Sequence, residues 1–219
     1  VNGIVIAPTL KGRPSSARSF KIISWNLLHR AGATLDEIRK VIEQERPDLL
    51  LLQEAAASAE PLLAAVGGYY VSNAATGAAH CLAAWSPLPL RQSPAMLALQ
   101  PGVIVKRHCQ VIAFEEFSIA NVHLSHGQML NRRQLRRIAA NLPRSAAIMG
   151  DCNLVGPSLL PGFRDIGPRQ PTHIAGALVP LRLDRCFVRA LHCDEAKALE
   201  RGTSDHRPIS VRLSTHAAE

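Results

Sequence analysis

Apolar positions in this chain come in short runs parted by Pro, Gly and polar segments, with helical spacing in between. Residues 20–25 (FKIISW) are apolar and β-branched, and predict a buried strand that stops at Asn26. Beyond Thr34, the residues Leu35, Ile38, Val41 and Ile42 recur at helical spacing. Glu37 stands at the third helical position, so Thr34 and Glu37 predict a capping box, and Pro47 ends the helix. Leu49, Leu50, Leu51 and Leu52, followed by Gln53 and Glu54, predict a second buried strand. An Ala-rich helix over 59–66 closes at Gly67-Gly68. Residues 69–72, 81–85, 103–106, 109–114 and 118–124 predict short strands between Pro and Gly turns.

The second half follows the same plan. Residues 131–140 predict a helix with Leu135, Ile138 and Ala139 facing in; Arg132, Arg133, Arg136 and Arg137 read either as a face that could follow phosphates or, in the plainer account, as a solvated face that could pair with Glu115 and Glu116. A strand over 146–149 stops at Gly150-Asp151, and 183–188 and 209–213 are the last strands. Residues 155–181, rich in Pro and Gly, predict a long irregular segment. Many strands with few helices between them predict an α/β fold: two packed sheets with helices outside.

Composition narrows the picture. The 219 residues fit one domain. Residues 8–19 (PTLKGRPSSARS) read as the end of a flexible leader, 1–19, ahead of a single domain over 20–215. A hydrophobic fraction of 47% with 4% aromatics leaves Leu, Ala, Ile and Val to fill the core. The formal charge of +8 points to a polyanionic partner: nucleic acid, an anionic membrane surface or a phosphorylated small molecule. Solubility alone is the plainer account of that charge. Five cysteines with no CxxC pair and no zinc spacing indicate reduced thiols, a reducing compartment and a cytoplasmic location. Cys152 has a carboxylate beside it, which raises a thiol pKa, so it reads as a packing residue rather than a nucleophile. No apolar stretch approaches the roughly 20 residues of a membrane span, and the N-terminus lacks a signal-peptide layout. The expected state is a monomer.

Chemistry concentrates where the strands end. Asn26 closes a strand, where Asn is also a common turn residue. Glu54 ends a run of leucines, so its carboxylate is solvated, paired or metal-bound. Asp151 and Asn153, two apart on an extended chain, point to one face; an Asx-turn is the bland alternative. Asp184 starts a strand beside Arg182 and Arg185, its ready ion-pair partners. Ser204-Asp205-His206 ahead of the last strand puts a carboxylate beside the side chain best poised for proton transfer near neutrality, although nine histidines make one Asp-His pair unremarkable. His123 lies in an apolar strand and by itself reads as a hydrogen-bonded core histidine, with His126 a loop residue.

Taken in order, the segments IISWNLL, DLLLLQE, NVHLSHG, AAIMGDCN, RLDRCFV and GTSDHRPISVRL resemble the endonuclease/exonuclease/phosphatase superfamily, the DNase I-like fold, over nearly all of 20–213. The resemblance implies a four-layer α/β/β/α sandwich of two mixed β-sheets flanked by helices. It implies a catalytic Mg²⁺ (or Mn²⁺) with Glu54 as direct ligand, Asn26 beside it and Asp205 completing the metal environment. It further implies Asp151 and Asn153 holding the attacking water and the scissile phosphate. His206 is implied as general base or phosphate-polarising imidazole oriented by Asp184, and His123 as donor to a phosphate oxygen or leaving group. The chain departs from the pattern in three ways: it is short, Ala78, Ala79 and His80 stand where nucleases carry an aromatic and a carboxylate, and Asp-Cys-Asn replaces Asp-Phe-Asn. Three functions follow from these readings: a metal-dependent phosphodiesterase on nucleic acid, the same chemistry on a lipid or small phosphoester, and a non-catalytic polyanion-binding module.

Overall fold

The computed structural model describes residues 19–28, 32–55, 60–73, 81–102, 106–176 and 178–215. Residues 1–18 of the leader expected over 1–19, the Ala78-Ala79-His80 stretch and most of the strand expected over 103–106 lie outside them, while Ser19 already belongs to the first strand. The elements run β1 (Ser19–Asn26), α1 (Leu35–Glu45), β2 (Leu49–Ala55), α2 (Glu60–Val66), β3 (Tyr69–Ser72), β4 (Cys81–Ser86), β5 (Ala95–Ala98), β6 (His108–Ala113), β7 (Ser118–His123), α3 (Gln128–Ala140), β8 (Ala146–Asp151), β9 (Arg164–Asp165), β10 (His173–Ala175), β11 (Val179–Leu181), β12 (Asp184–Arg189), β13 (His192–Ala198) and β14 (Ile209–Ser214).

Two six-stranded sheets, in the orders β13-β14-β1-β2-β4-β3 and β5-β6-β7-β8-β12-β9, carry the fold, and β10-β11 form a separate hairpin. β1 and β2 pair in parallel, as do β7 and β8; the other pairings are antiparallel, so both sheets are mixed. Alternation along each strand divides its side chains between two cores. Ile22, Leu49, Leu51, Ile119, Ala147, Met149 and Val211 meet between the sheets. Ile23, Trp25, Leu50 and Leu52 face outward beneath Ile38 and Ile42 of α1 and Leu62 of α2. Val122, Ala146 and Ile148 face outward beneath Leu135 and Ile138 of α3. This is the four-layer α/β/β/α sandwich, and it explains why the central strands read as unbroken apolar runs: both of their faces are covered.

The predicted capping box forms. Thr34 accepts a hydrogen bond from the Glu37 amide, and the Glu37 carboxylate accepts one from the Thr34 amide, closing the box at the start of α1. Pattern reading failed for β13, whose HCDEAKA sequence is partly exposed at a sheet edge. Charged edge strands deter pairing with other chains and carry no apolar alternation. The 155–181 segment, expected to be irregular, contains β9 and the β10–β11 hairpin. Arg182 and Arg185 converge on Asp165 of β9 at 2.7 Å each and tie that segment to the second sheet. No helix among the described residues is long and apolar enough to cross a membrane.

Candidate active site

Strand register builds the site. In parallel β7–β8, His123 stands opposite Asp151; in antiparallel β8–β12, Asp151 stands opposite Asp184. One histidine and two carboxylates therefore sit in a row across three adjacent strand ends. The other sheet ends level with them. Asn26 of β1 pairs with Gln53 of β2, and a bulge between Gln53 and Ala55 turns Glu54 out of the ladder at φ +53°. A left-handed non-glycine residue at a bulge is strained, and such strain collects where a side chain is re-aimed. Asn153, at φ +46°, turns the chain sharply just after β8.

The two sheets are bonded to each other at this end. The Asn26 amide donates to Asp151 Oδ2 at 3.0 Å. Below it, the Gln53 amide donates to Ser24 Oγ at 2.9 Å and to Asn121 Oδ1 at 2.8 Å, while the Asn121 amide donates to Ala83 O at 3.0 Å. The loop bearing Asp205 and His206 is then stitched over β1. Ser204 Oγ donates to Asn26 O at 2.7 Å, Trp25 Nε1 donates to His206 O at 3.1 Å, and Glu37 of the α1 cap accepts from the Thr203 amide at 2.8 Å.

Above this bonded floor, Asn26, Glu54, His123, His126, Asp151, Asn153, Asp205 and His206 line one open cavity of about 370 Å³. Asp184 lies behind it, buried, and receives His206 Nδ1–H on Oδ2 at 2.8 Å. Thr172 Oγ1 accepts the amide of Asp184 at 3.0 Å and fixes its backbone. The Arg182 and Arg185 partners considered for Asp184 pair instead with Asp165. His206 Nε2 faces the cavity, 3.8 Å from Asp151 Oδ2 and 3.9 Å from Asp205 Oδ1. His123 Nε2 is 3.4 Å from Asp151 Oδ2, and its Nδ1 is 3.9 Å from Glu54 Oε1. Asn153 directs its side-chain amide to Leu124 O at 2.9 Å and toward Asp151 Oδ2 at 3.5 Å, and its own amide N–H donates to Asp151 Oδ1 at 2.9 Å.

Charge sets the protonation. Burial works against a charged His206, but the Asp184 and Asp151 carboxylates, the hydrogen bond to Asp184 and the Asp205 charge outweigh it and hold the imidazole up at about 10. His206 is thus an imidazolium near neutrality in the metal-free protein. Burial, then the Asp151 charge, push the Cys152 thiol far up, in keeping with a packing role. Pattern reading missed Arg107, a buried guanidinium on which Asp151 and Glu54 act; burial pulls its pKa down and those two charges oppose the shift. It also missed His173, which lines the cavity from the segment read as irregular, where no periodicity marks it. The arginine face of α3 divides: Arg132 donates to Val155 O and Pro157 O, while Arg133, Arg136 and Arg137 are exposed. Glu115 pairs with Arg91.

The donor set suits a hard dication. Glu54, Asn26, Asp151 and Asp205 present oxygen atoms to one cavity, and Asp205 Oδ1 is buried with no hydrogen-bond partner among the described residues.

A family model described as "Endonuclease/Exonuclease/phosphatase family" matches residues 23–206. Among solved structures, an endonuclease/exonuclease/phosphatase from Bacteroides vulgatus superposes with a TM-score of 0.76 at 14% identity, covering 91% of this chain and 100% of that one. A family protein from Bacteroides thetaiotaomicron gives 0.72 at 16% identity, covering 91% and 99%. D. rerio TDP2, in complex with a single-strand DNA product, gives 0.68 at 18% identity, covering 90% and 99%. At these identities the likeness is one of fold. No curated protein matches the sequence.

Proposed function

Since the chain belongs to the endonuclease/exonuclease/phosphatase family and is a phosphoric ester hydrolase, we propose that it acts as a divalent-metal-dependent phosphodiesterase on nucleic acid. The observation that carries this reading is the meeting of Asn26, Glu54, His123, Asp151, Asp205 and His206 around one cavity. Two further facts support the substrate class: the net charge of +8 and the fold shared with a DNA-bound TDP2.

Glu54 would hold Mg²⁺ or Mn²⁺, with Asn26 and Asp205 beside it. When bound, the cation supplies positive charge to a phosphoryl oxygen and so eases attack on an anion. The chain's own residues do the rest. Asp151, fixed by Asn26 and by the backbone amide of Asn153, orients a water and takes its proton. Asn153 holds that carboxylate in place at the edge of the phosphate site. His206, aligned by Asp184, presents an N–H at Nε2 to a non-bridging phosphoryl oxygen. The raised pKa favours this donor role over that of a general base. His123 donates to a phosphate oxygen or to the leaving group from the far side of Asp151.

The test is cleavage of supercoiled plasmid and single-stranded DNA in Mg²⁺ or Mn²⁺, with EDTA and Asp151→Ala as blanks. Cleavage that depends on both is expected; none with any nucleic acid rejects the substrate assignment. One observation favours a lipid substrate as a second reading: the hairpin whose Ala175 and Leu181 line the cavity also presents Leu178, 85% exposed, and Val179, 53% exposed. Hydrolysis of phospholipid vesicles with DNA left intact decides for that reading.

A further inference from the structure

His173 stands apart from the proposed reaction, yet it is built into the site. The loop that follows β14's predecessor strand pairs with the start of β10: Arg207 N–H donates to Thr172 O at 2.7 Å and Ile174 N–H to Asp205 O at 3.3 Å. This pairing stacks the His173 and His206 rings, their centroids 4.4 Å apart and tilted by 40°. His173 Nδ1 lies 3.6 Å from Asp205 Oδ2, and one donor atom from each of His173, Asp205 and His206 falls within 4.8 Å of the others. Two of the atoms in this cluster, His173 Nδ1 and Asp205 Oδ1, are buried and have no hydrogen-bond partner among the described residues. A buried polar atom left without a partner costs stability, and an ion is one of the few ways to recover it.

We propose that His173, Asp205 and His206 form a second cation site, which takes a borderline transition-metal dication such as Zn²⁺ and, when filled, stops the phosphoesterase reaction. Two imidazole nitrogens and one carboxylate suit Zn²⁺ or Co²⁺, whereas Mg²⁺ prefers oxygen donors. The His206–Asp184 hydrogen bond is the kind of support that fixes a ligating ring and aims its other nitrogen at a metal. A tetrahedral ion with ligands at about 2.1 Å spaces them about 3.4 Å apart, so modest side-chain rotation closes the set. The side chains of His173 and Asp205 are 14% and 36% exposed, which puts the site at the cavity mouth, within reach of a free ion. On binding, Nε2 of His206 releases its proton to solvent and gives its lone pair to the metal. His206 then has no N–H left for a phosphoryl oxygen. The inhibitory half rests on the role proposed for His206; the binding half does not.

The experiment titrates metal-free protein with Co²⁺, followed by visible absorption, and with Zn²⁺ by calorimetry, for wild type, His173→Phe and His173→Asn. Expected are d–d bands that Zn²⁺ abolishes, a Zn²⁺ affinity about tenfold or more weaker in both variants, and an unmoved Mg²⁺ affinity. Matching far-ultraviolet dichroism and melting curves show that the variants fold. Absence of Co²⁺ bands, or equal Zn²⁺ affinity in wild type and variants, overturns the site. In parallel, Zn²⁺ is added to Mg²⁺-supported hydrolysis of bis(p-nitrophenyl) phosphate. Inhibition that weakens about as much as affinity in His173→Phe supports the regulatory half. Zn²⁺ that binds without inhibiting, or a protein that hydrolyses no phosphoester, overturns that half and leaves the cation site standing.

Discussion

His206 shows how much one side chain depends on its neighbours. Its Nδ1–H is held by Asp184 at 2.8 Å, and three carboxylates surround the ring. Asp184→Asn keeps the shape but removes the charge that holds the imidazolium and its orientation; a loss of about 10²–10⁴ in kcat is expected, with little change in KM. A variant that keeps wild-type kcat removes Asp184 from the mechanism. The same ring makes stability depend on pH. Its pKa rises from 6.5 to about 10 on folding, so the stabilisation is complete below pH 6.5 and drains away as pH climbs through about 10. In EDTA, the urea midpoint of the wild type should fall across that window relative to His206→Gln; parallel curves refute the coupling. Taken residue by residue, His206 is only an Asp-His pair before a strand, and Asp184 a strand-start carboxylate whose ready partners are the arginines beside it, which bond Asp165 in space. The pairing of Asp184 with His206 comes from the family resemblance, and the two side chains lie 2.8 Å apart.

At the scale of elements, the strand ends and the first helix cap do the positioning. Glu37 serves two structures at once: it closes the α1 capping box and accepts from the amide and hydroxyl of Thr203. Glu37→Ala is expected to cost about 1–2 kcal/mol of stability and to lower activity, since the loop bearing Asp205 and His206 loses its anchor. Unchanged turnover in a destabilised variant would show that the loop holds without it. Gly150, the residue before the end of β8, has φ +143°, and a Cβ there would meet Val122 O at 2.1 Å. Gly150→Ala should therefore destabilise by at least about 2 kcal/mol through clash and backbone strain, as read from chemical denaturation. The capping box was plain in the sequence because it is local. β13 and the β10–β11 hairpin were not: an exposed edge strand and a short hairpin carry little apolar alternation, which is the signal that sequence reading depends on.

For the whole molecule, charge and the sheet-to-sheet bonding set the behaviour. If nucleic acid is the substrate, binding in the presence of EDTA should weaken steeply with salt, with a log–log slope of roughly −0.9 per neutralised phosphate on duplex DNA. A flat salt dependence argues against a polyanion. Between the sheets, Asn121 bonds Gln53, Gln110 and two backbone carbonyls. Asn121→Leu leaves several of these groups buried and unpaired and is expected to cost about 1–3 kcal/mol, measured by urea unfolding, with activity falling as Glu54 and Asp151 lose their common floor.

The chain by itself determined the layered α/β class, the capped first helix and the strand-end residues Asn26, Glu54, Asp151 and His206, because burial on both faces of a strand and local capping leave their mark in consecutive positions. Only the tertiary structure decided which of those residues meet. Register set His123, Asp151 and Asp184 side by side, a bulge turned Glu54 inward, and the hairpin brought His173 against His206. Contacts between residues far apart in sequence depend on how strands align and sheets pack, and no short stretch of the chain records that.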